Sequence, residues 1–398
     1  MKLLIYVNSW APAVGGVETS VRLLAEGLAK WESNHPGEKI AVTLATQTPA
    51  GAMNDSQLPY RVVRKPGLRD LIREIRRADV VHLAGPTLLP LMIGYLLRKP
   101  TTVEHHGYQV GCPNGMLLLE PQKTQCPGHF MAGRYGKCFN CNSHTMGWWT
   151  SLKTLLLIFP RRWLCKKIAA NVTITDHVSA RLVLPRSCTI YYGIENVDAR
   201  PVEVQEDARN PLRLAYLGRL VSEKGLPVLF RAVRLLQKNG SAFHLTVIGD
   251  GPERDKLEMF ANEIGISQCV TFTGEMRRRE VDQALRKLDV VVMPSLCEET
   301  AGLAAIEQMM SGGAVIVSDI AGLSEVVADA GLKFVPGNSE ELFACLKVVA
   351  KDRSMIRHLG SLARARALKV FSVERFIMQH VALYREIKKQ SLNPIRPD

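Results

Sequence analysis

Long apolar runs, internal repeats and low-complexity tracts are all missing from this 398-residue chain, and each absence removes a class of protein. No segment reaches the roughly eighteen consecutive apolar residues of a membrane-spanning helix, because LLLIF at Leu155 to Phe159 meets Pro160, Arg161 and Arg162. An integral membrane protein is not expected. The opening MKLLIYVNSW is too short for a signal peptide and lacks a small-residue cleavage site, so it reads as a first buried strand. Nine cysteines without an export signal point to a reducing compartment, hence to reduced thiols and a cytoplasmic location. The glycine-rich VIGDGPER lacks the third glycine of a dinucleotide fingerprint, Arg254 standing in its place, which argues against a dehydrogenase. No nucleic-acid recognition motif is present.

What is present is an ordinary globular composition, 46% hydrophobic and 22% charged, in a chain long enough for two domains with separate cores. Strand and helix patterns alternate, the signature of parallel sheets covered on both faces. Strands are expected near Leu3 to Val7, Ile40 to Ala45, Arg61 to Val63, Val80 to Leu83, Thr101 to Val103, Asn171 to Ile174 and Thr189 to Tyr191. The pattern restarts with strands near Arg213 to Leu217, His244 to Ile248, Val270 to Thr273, Val290 to Met293, Ala314 to Ser318 and Leu332 to Val335. The charged, proline-containing stretch from Glu195 to Pro211 reads as a linker. The expected division is therefore 1–198, carrying a cysteine-rich insertion at 107–145, then 199–370, then a C-terminal helix at 371–398 packing back toward the first domain. Ligands of such sheets bind beyond the carboxyl ends of the strands.

Arg219 and Lys224, in YLGRLVSEKGL, fall between a strand and a helix, where backbone N–H groups and a helix N-terminus suit a diphosphate. Glu299 and Glu307 follow in PSLCEETAGLAAIEQMMSGG, with seven residues between them, and carboxylates suit the hydroxyls of a ribose and a sugar. The pattern describes a sugar-nucleotide pocket. Each residue also has a plainer reading: Arg219 and Lys224 as surface charges, Glu307 as an exposed helix charge. Gly15 and Gly16, between the first strand and the helix carrying Val17, Val21 and Leu24, suit close approach to a phosphate or equally a tight turn.

The ordered segments LGRLVSEKG, LTVIGDGPERDKL, VTFTGEM, MPSLCEETAGLAAIEQMMSGGAVIVSDIAGLSEVV and FVPGNSEEL resemble the C-terminal domain of retaining glycosyltransferases of family four, tightly over residues 210 to 345. The N-terminal half is similar more loosely, through VNSWAPAVGGVETSVRLLAEGLA and EHHGYQVGCPNG. The resemblance implies an α/β GT-B fold, two Rossmann-like domains facing across a donor/acceptor cleft. It implies Arg219 and Lys224 on the donor diphosphate, Glu299 on the transferred sugar and Glu307 on the ribose. Ala301, Gly302 and Leu303 match a segment whose backbone holds phosphates and sugar, while Gly15, Gly16, Gly218 and Gly249 line the donor site. His106 matches a donor-facing histidine, although Gly107 replaces the family's frequent aspartate. Its neighbour His105 reads as a core residue.

Cys112, Cys126, Cys138 and Cys141 fall in one insertion, and only the last pair has the Cys-x2-Cys spacing of a zinc knuckle. Some family members carry a similar insertion; a structural zinc and reduced, unligated thiols are both open. Net charge is +13, and Arg61 to Arg77 and Met146 to Arg186 contribute +5 and +6 of it. The second segment adds Trp148, Trp149, Leu155, Leu156, Leu157, Phe159 and Trp163, a mixture suited to an anionic membrane interface and equally to a solvated basic face. The expectation is a retaining transferase moving a sugar from a nucleoside diphosphate to a glycan or lipid-linked acceptor at the inner membrane face, in envelope polysaccharide or glycoconjugate synthesis. No cofactor is required for transfer, since the two cations replace a donor-site metal. A sugar-nucleotide epimerase and a silent binding subunit are the alternatives.

Overall fold

The computed structural model describes residues 1–11, 15–51, 54–120, 122–197 and 210–392. Two compact units emerge, one of Met1–Leu117, Pro127–Gly193 and Val373–Asp398, the other of Leu118–Cys126 and Ile194–Ser372. The linker expected from Glu195 to Pro211 falls mostly at 198–209, outside the described residues.

Along the first half run β1 (Lys2–Val7), β2 (Ala41–Thr46), β3 (Arg61–Arg64), β4 (Val80–Leu83) and β5 (Thr101–His105). A small hairpin of β6 (Leu118–Leu119) and β7 (Thr124–Gln125) precedes β8 (Ala170–Thr173) and β9 (Ser187–Thr189). The second half holds β10 (Leu212–Leu217), β11 (Phe243–Ile248), β12 (Val270–Gly274), β13 (Val290–Met293), β14 (Ala314–Ser318) and β15 (Leu332–Phe334). In the first unit the sheet order is β3-β2-β1-β4-β5-β8-β9, all parallel. In the second it is β12-β11-β10-β13-β14-β15, again parallel. Both orders run outward from a central strand and then reverse, which makes each sheet doubly wound. The reversal lies between β1 and β4 in one unit and between β10 and β13 in the other.

Helices on both faces explain why central strands are continuous apolar runs without alternation: all four residues of β4 and of β13 are buried. The helix Leu226–Lys238 buries Leu226, Leu229, Phe230, Val233 and Leu236 at helical spacing against its sheet. The C-terminal helix Val373–Leu392 belongs to the first unit, where Phe376, Val381, Tyr384 and Ile387 join the core with Leu3 and Ile5.

The cysteine-rich insertion has more of a core than its sequence suggests. Phe130, Cys138, Leu155 and Ile158 form a small buried cluster, backed by Phe139, between the helices Tyr135–Met146 and Trp148–Cys165. Pro160 does not interrupt the second helix, which continues through it. Its ring removes one N–H, but the position is exposed, so water can satisfy the orphaned carbonyl.

One buried charge network holds the second sheet in register. Asp289, 3% exposed, accepts from the Arg213 backbone N–H at 2.8 Å and its guanidinium at 2.6 Å, with Arg353 at 3.7 Å. Asp289 N–H returns a bond to the Arg213 carbonyl at 2.8 Å. Removing one member of a buried ion pair strands the other charges, so Asp289→Ala is expected to cost about 3–5 kcal/mol. Urea denaturation of the full chain checks this, the expected result being a large drop in midpoint for the transition that includes the second unit.

Candidate functional site

In the second unit the chain leaves β10 at Leu217 and β13 at Met293, the two strands at which the sheet order reverses. Their following loops are stitched together, Leu296 N–H donating to the Glu223 carbonyl at 2.8 Å. Arg219, Lys224 and Glu299 are therefore carried on the two loops flanking the crevice where such sheets take ligands.

The Lys224 ammonium pairs with the Glu299 carboxylate, and Ser295 Oγ donates to the same carboxylate oxygen at 2.7 Å. Burial works against the ammonium, but Glu299 outweighs it and raises Lys224 above the ordinary lysine value. Burial also pushes the carboxyl upward; Lys224 and the Ser295 hydroxyl outweigh it, leaving Glu299 below the usual range. Both groups are thus held charged through the neutral range. Arg219 is exposed, its own carbonyl taking the Tyr216 hydroxyl at 2.8 Å. Among the described residues its guanidinium has no ion-pair partner, so an accessible cation stands on the same loop as Lys224.

Glycine is required at two points of this site. Gly249, following β11, has φ +133°, and a Cβ there would lie 2.0 Å from the Gly218 carbonyl oxygen. The chain ends of β10 and β11 could not approach so closely with any side chain in between. Gly302 has φ +66° at the start of the helix Leu303–Met310, and a Cβ there would meet Leu323 at 2.6 Å. This left-handed turn aims the helix N-terminus, with its unsatisfied N–H groups and partial positive charge, out of the loop that bears Glu299. Ala301 is buried, while Leu303 and Glu307 are half-buried, Glu307 one turn into that helix.

The first unit contributes the remaining candidates. Gly15 has extended backbone, φ −165°, so it is not held there by conformation, and Gly16 opens the helix Gly16–Ala29. His105 is fully buried at the end of β5, its Nε2 3.0 Å from Asn171 Oδ1. Because the Asn171 amide donates to the Cys165 and Pro185 carbonyls, Oδ1 must accept and His105 Nε2 must carry hydrogen. The residue is a core histidine, as expected. His106 stacks on Tyr192, centroids 5.6 Å apart, with Nδ1 2.8 Å from the tyrosine hydroxyl. Its side chain is 6% exposed, and burial holds its pKa below the ordinary histidine value despite Glu104 nearby.

Sequence reasoning passed over Ser295, whose signal lay in the same PSLCEET loop. It also missed a buried group around Glu104: His82 Nε2 lies 3.1 Å from Glu104 Oε2, and His380 Nε2 3.8 Å from it.

The second unit is where comparison with known proteins finds its family match. Residues 202–366 match the family described as "Glycosyl transferases group 1". That segment is similar to the group 1 glycosyltransferases over less than half of the chain. The chain is 28% identical over 247 residues to 2-deoxystreptamine glucosyltransferase of Streptomyces kanamyceticus, covering 56% of this chain and 60% of the relative. It is 27% identical over 193 residues to the amylovoran biosynthesis glycosyltransferase AmsK of Erwinia amylovora, covering 47% and 46%. The matches thus span about half to three-fifths of these relatives' lengths. Among solved structures, Anabaena HepE in complex with UDP and glucose superposes with a TM-score of 0.69 at 17% identity, covering 97% of this chain and 100% of that one. Sucrose-phosphate synthase of Thermosynechococcus elongatus gives 0.71 at 20% identity, covering 97% and 98%. At these identities the likeness concerns the fold, which is GT-B, with two Rossmann-like units.

Single substitutions Arg219→Ala, Lys224→Ala and Glu307→Ala are each expected to lower sugar-transfer turnover by about a hundredfold or more with unfolding midpoints little changed. Steady-state kinetics with folded protein is the check. Wild-type turnover in the folded triple variant would remove these residues from the donor site.

Proposed function

We propose that this chain is a retaining glycosyltransferase. It moves a sugar from a nucleoside diphosphate donor to a hydroxyl of a glycan or lipid-linked acceptor, in envelope polysaccharide or glycoconjugate synthesis. The observation that carries the reading is the charge arrangement at the β10/β13 reversal: an accessible Arg219 beside a Lys224 held charged by Glu299 and Ser295. Two cations at that point stabilise the charge that grows on the diphosphate as the anomeric carbon–oxygen bond breaks. They fill the role that a divalent ion fills in other transferases. In front-face displacement the new bond forms from the acceptor oxygen to the anomeric carbon on the face the diphosphate leaves, and the acceptor proton passes to the departing phosphate oxygen. No protein carboxylate is the nucleophile. Glu299 contacts the transferred sugar and Glu307 the ribose; Gly15, Gly16 and His106, expected from the sequence to bind the donor, lie in the first unit. The relatives named above are transferases, one acting in polysaccharide synthesis, and HepE was crystallised with UDP; all this supports a transferase over an epimerase.

A structural zinc on Cys112, Cys126, Cys138 and Cys141 stands beside this reading as a proposal from sequence. Cys138 and Cys141 lie three apart on the helix Tyr135–Met146 and offer a thiol pair on one side of it.

The acceptor class rests on the surface of the first unit. Among the described residues no helix is long and apolar enough to cross a membrane. The helix Trp148–Cys165 nevertheless exposes Trp149, Lys153, Leu156, Phe159, Pro160 and Trp163 at successive turns, while Ser151, Leu155, Ile158 and Leu164 face inward. Trp149 is 76% exposed and Leu156 56%, a large penalty in water unless another phase receives them. Trp163 packs edge-on against Tyr95, centroids 5.3 Å apart, extending the patch onto the helix Leu88–Leu96 with its exposed Leu89, Met92 and Leu96. Beside them lies a cavity of about 400 Å³ lined by Tyr95, Arg98, Lys99, Lys167 and Arg186. Apolar side chains flanked by cations suit an anionic lipid surface. The four cations at the end of this helix, Arg161, Arg162, Lys166 and Lys167, are not equivalent. Arg162 donates to the Leu182 and Val183 carbonyls and Arg161 is half-buried, which leaves Lys166 and Lys167 exposed.

The reaction class is tested by the anomeric configuration of the product. Screening UDP, GDP and ADP by thermal shift identifies the donor base, because a ligand of the folded state raises its stability. NMR of the product from the matching sugar nucleotide is expected to show the donor's α or β configuration preserved. Inversion would overturn the mechanism, and conversion of the donor sugar without acceptor would favour an epimerase.

Membrane docking is tested separately by vesicle co-sedimentation. Binding is expected to require anionic lipid and to fall with salt. Lys166→Gln with Lys167→Gln is expected to weaken it by about tenfold or more, at about 1 kcal/mol per charge. Trp149→Ala with Leu156→Ala and Trp163→Ala is expected to abolish it. Equal binding to neutral and anionic vesicles would mark the patch as ordinary surface.

A further inference from the structure

The group around Glu104 lies wholly inside the first unit and plays no part in the chemistry above except through its neighbour His106. His82 comes from β4, Glu104 from β5, and His380 from the C-terminal helix Val373–Leu392, with relative exposures of 0%, 1% and 0%. One donor atom from each lies within 4.8 Å of the other two.

Hydrogen bonding on the far side of each ring shows what faces the middle. His380 Nδ1 is 2.9 Å from the Phe376 carbonyl oxygen, which can only accept, so Nδ1 carries the hydrogen. In the neutral ring Nε2 is then a bare lone pair, 3.8 Å from Glu104 Oε2. His82 Nδ1 is engaged with the Tyr384 hydroxyl at 2.9 Å. Its Nε2 comes within 3.1 Å of Glu104 Oε2 without the alignment of a hydrogen bond. Among the described residues His82 Nε2, His380 Nε2 and Glu104 Oε1 are all buried with no hydrogen-bond partner. Two imidazole nitrogens and a carboxylate therefore converge on one place, and each histidine is fixed from behind by a carbonyl or a phenol. A metal-binding histidine is oriented in this way, its second nitrogen donating outward.

We propose that His82, Glu104 and His380 form a structural divalent-cation site, best matched to zinc, that fastens the C-terminal helix Val373–Leu392 to strands β4 and β5. Bonds of about 2.0–2.2 Å from zinc to nitrogen and oxygen place ligand atoms roughly 3.3–3.5 Å apart in a tetrahedron. The observed separations of 3.1 and 3.8 Å bracket that spacing. Two imidazoles and a carboxylate are a borderline, nitrogen-rich set that suits zinc over magnesium or calcium. His106 Nε2, also buried and without a hydrogen-bond partner among the described residues, lies 3.9 Å from the same Glu104 oxygen. It stands next to the three donors, on the edge of their group. The competing account is a shared proton, with one histidine donating to the carboxylate and no metal bound.

Elemental analysis decides between a cation and a proton. The full chain carrying Cys138→Ser and Cys141→Ser, prepared without chelators and passed through gel filtration after incubation with zinc, removes cysteine-held metal from the count. It is expected to retain about one zinc per chain, and to lose it on Glu104→Gln or on His380→Leu, which fills the buried position without a donor. Two variants are named because the carboxyl change risks misfolding; circular dichroism reports whether each is folded. Cobalt in place of zinc is expected to give visible bands without the near-ultraviolet charge transfer of thiolate ligands. A strong chelator is expected to lower the unfolding midpoint of the cysteine variant and leave that of folded His380→Leu unchanged. Less than a tenth of a metal per chain in the cysteine variant, or full zinc retention in folded His380→Leu, would overturn the site.

Discussion

The register of β10 against β13 is the constraint from which the candidate site follows. Leu214 pairs with Val290 and Ala215 with Val291, a short ladder whose amino ends are joined by Asp289 to Arg213 and Arg353. At the other end the two strands release the loops that carry Arg219, Lys224, Ser295 and Glu299, joined where Leu296 N–H donates to the Glu223 carbonyl. A slip of one residue would turn each buried strand residue to the other face and separate Lys224 from Glu299. The buried ion pair does not have to be a large net source of stability. Asp289 reaches the Arg213 backbone and guanidinium together only in one alignment, so the contact selects that alignment.

The Lys224–Glu299 pair has a consequence for the proposed reaction. An ammonium already neutralised by a carboxylate attracts a diphosphate less strongly at long range than an open one does, whereas Arg219 remains exposed. Under the proposed function, Arg219 would be the group that first meets the donor, and Lys224 would complete the site once the diphosphate competes with Glu299 for its protons. Glu299, released in part, would then accept from sugar hydroxyls. In that scheme the same carboxylate keeps Lys224 in place before binding and reads the sugar after it.

Much of this was legible in the sequence, for reasons that particular residues make plain. Every strand of the two large sheets was anticipated because Val80–Leu83, Val290–Met293 and their neighbours are short β-branched runs bounded by turn residues, and the structure has strands at these same residues. Boundaries moved by one or two residues; Ser187–Thr189 lies earlier than the Thr189 to Tyr191 expected, although Ile190 N–H beyond it still donates to the Thr173 carbonyl of β8 at 2.9 Å. The hairpin Leu118–Leu119 with Thr124–Gln125 was missed, as two residues per strand carry no period. The core of the insertion was missed because Leu155 and Ile158, which cover Phe130 and Cys138, come from a helix outside it. Pro160 and Arg162 show a different limit. Whether a proline's lost N–H matters, or a guanidinium meets solvent or a carbonyl, depends on what lies across from it, and sequence does not state that.

The glutamate–histidine group illustrates the strongest form of that limit. Its members sit at 82, 104 and 380, each surrounded in sequence by residues that explain themselves as core: VVHL and TVEH in strands, and His380 one turn beyond Phe376 on a helix. None has a ligand motif, because the three are brought together by tertiary packing alone. Yet the placement is demanding, since a carboxylate and two imidazoles in the interior cost stability unless each polar atom has a partner. Simple apolar residues at these positions would pack β4, β5 and the C-terminal helix at lower cost. The presence of polar donors there, with their outer nitrogens held by Phe376 and Tyr384, is accounted for if the inner atoms bind something positive. A cation there would also fix the carboxylate beside His106, linking the fastening of the C-terminal helix to the position of a histidine proposed for the donor site.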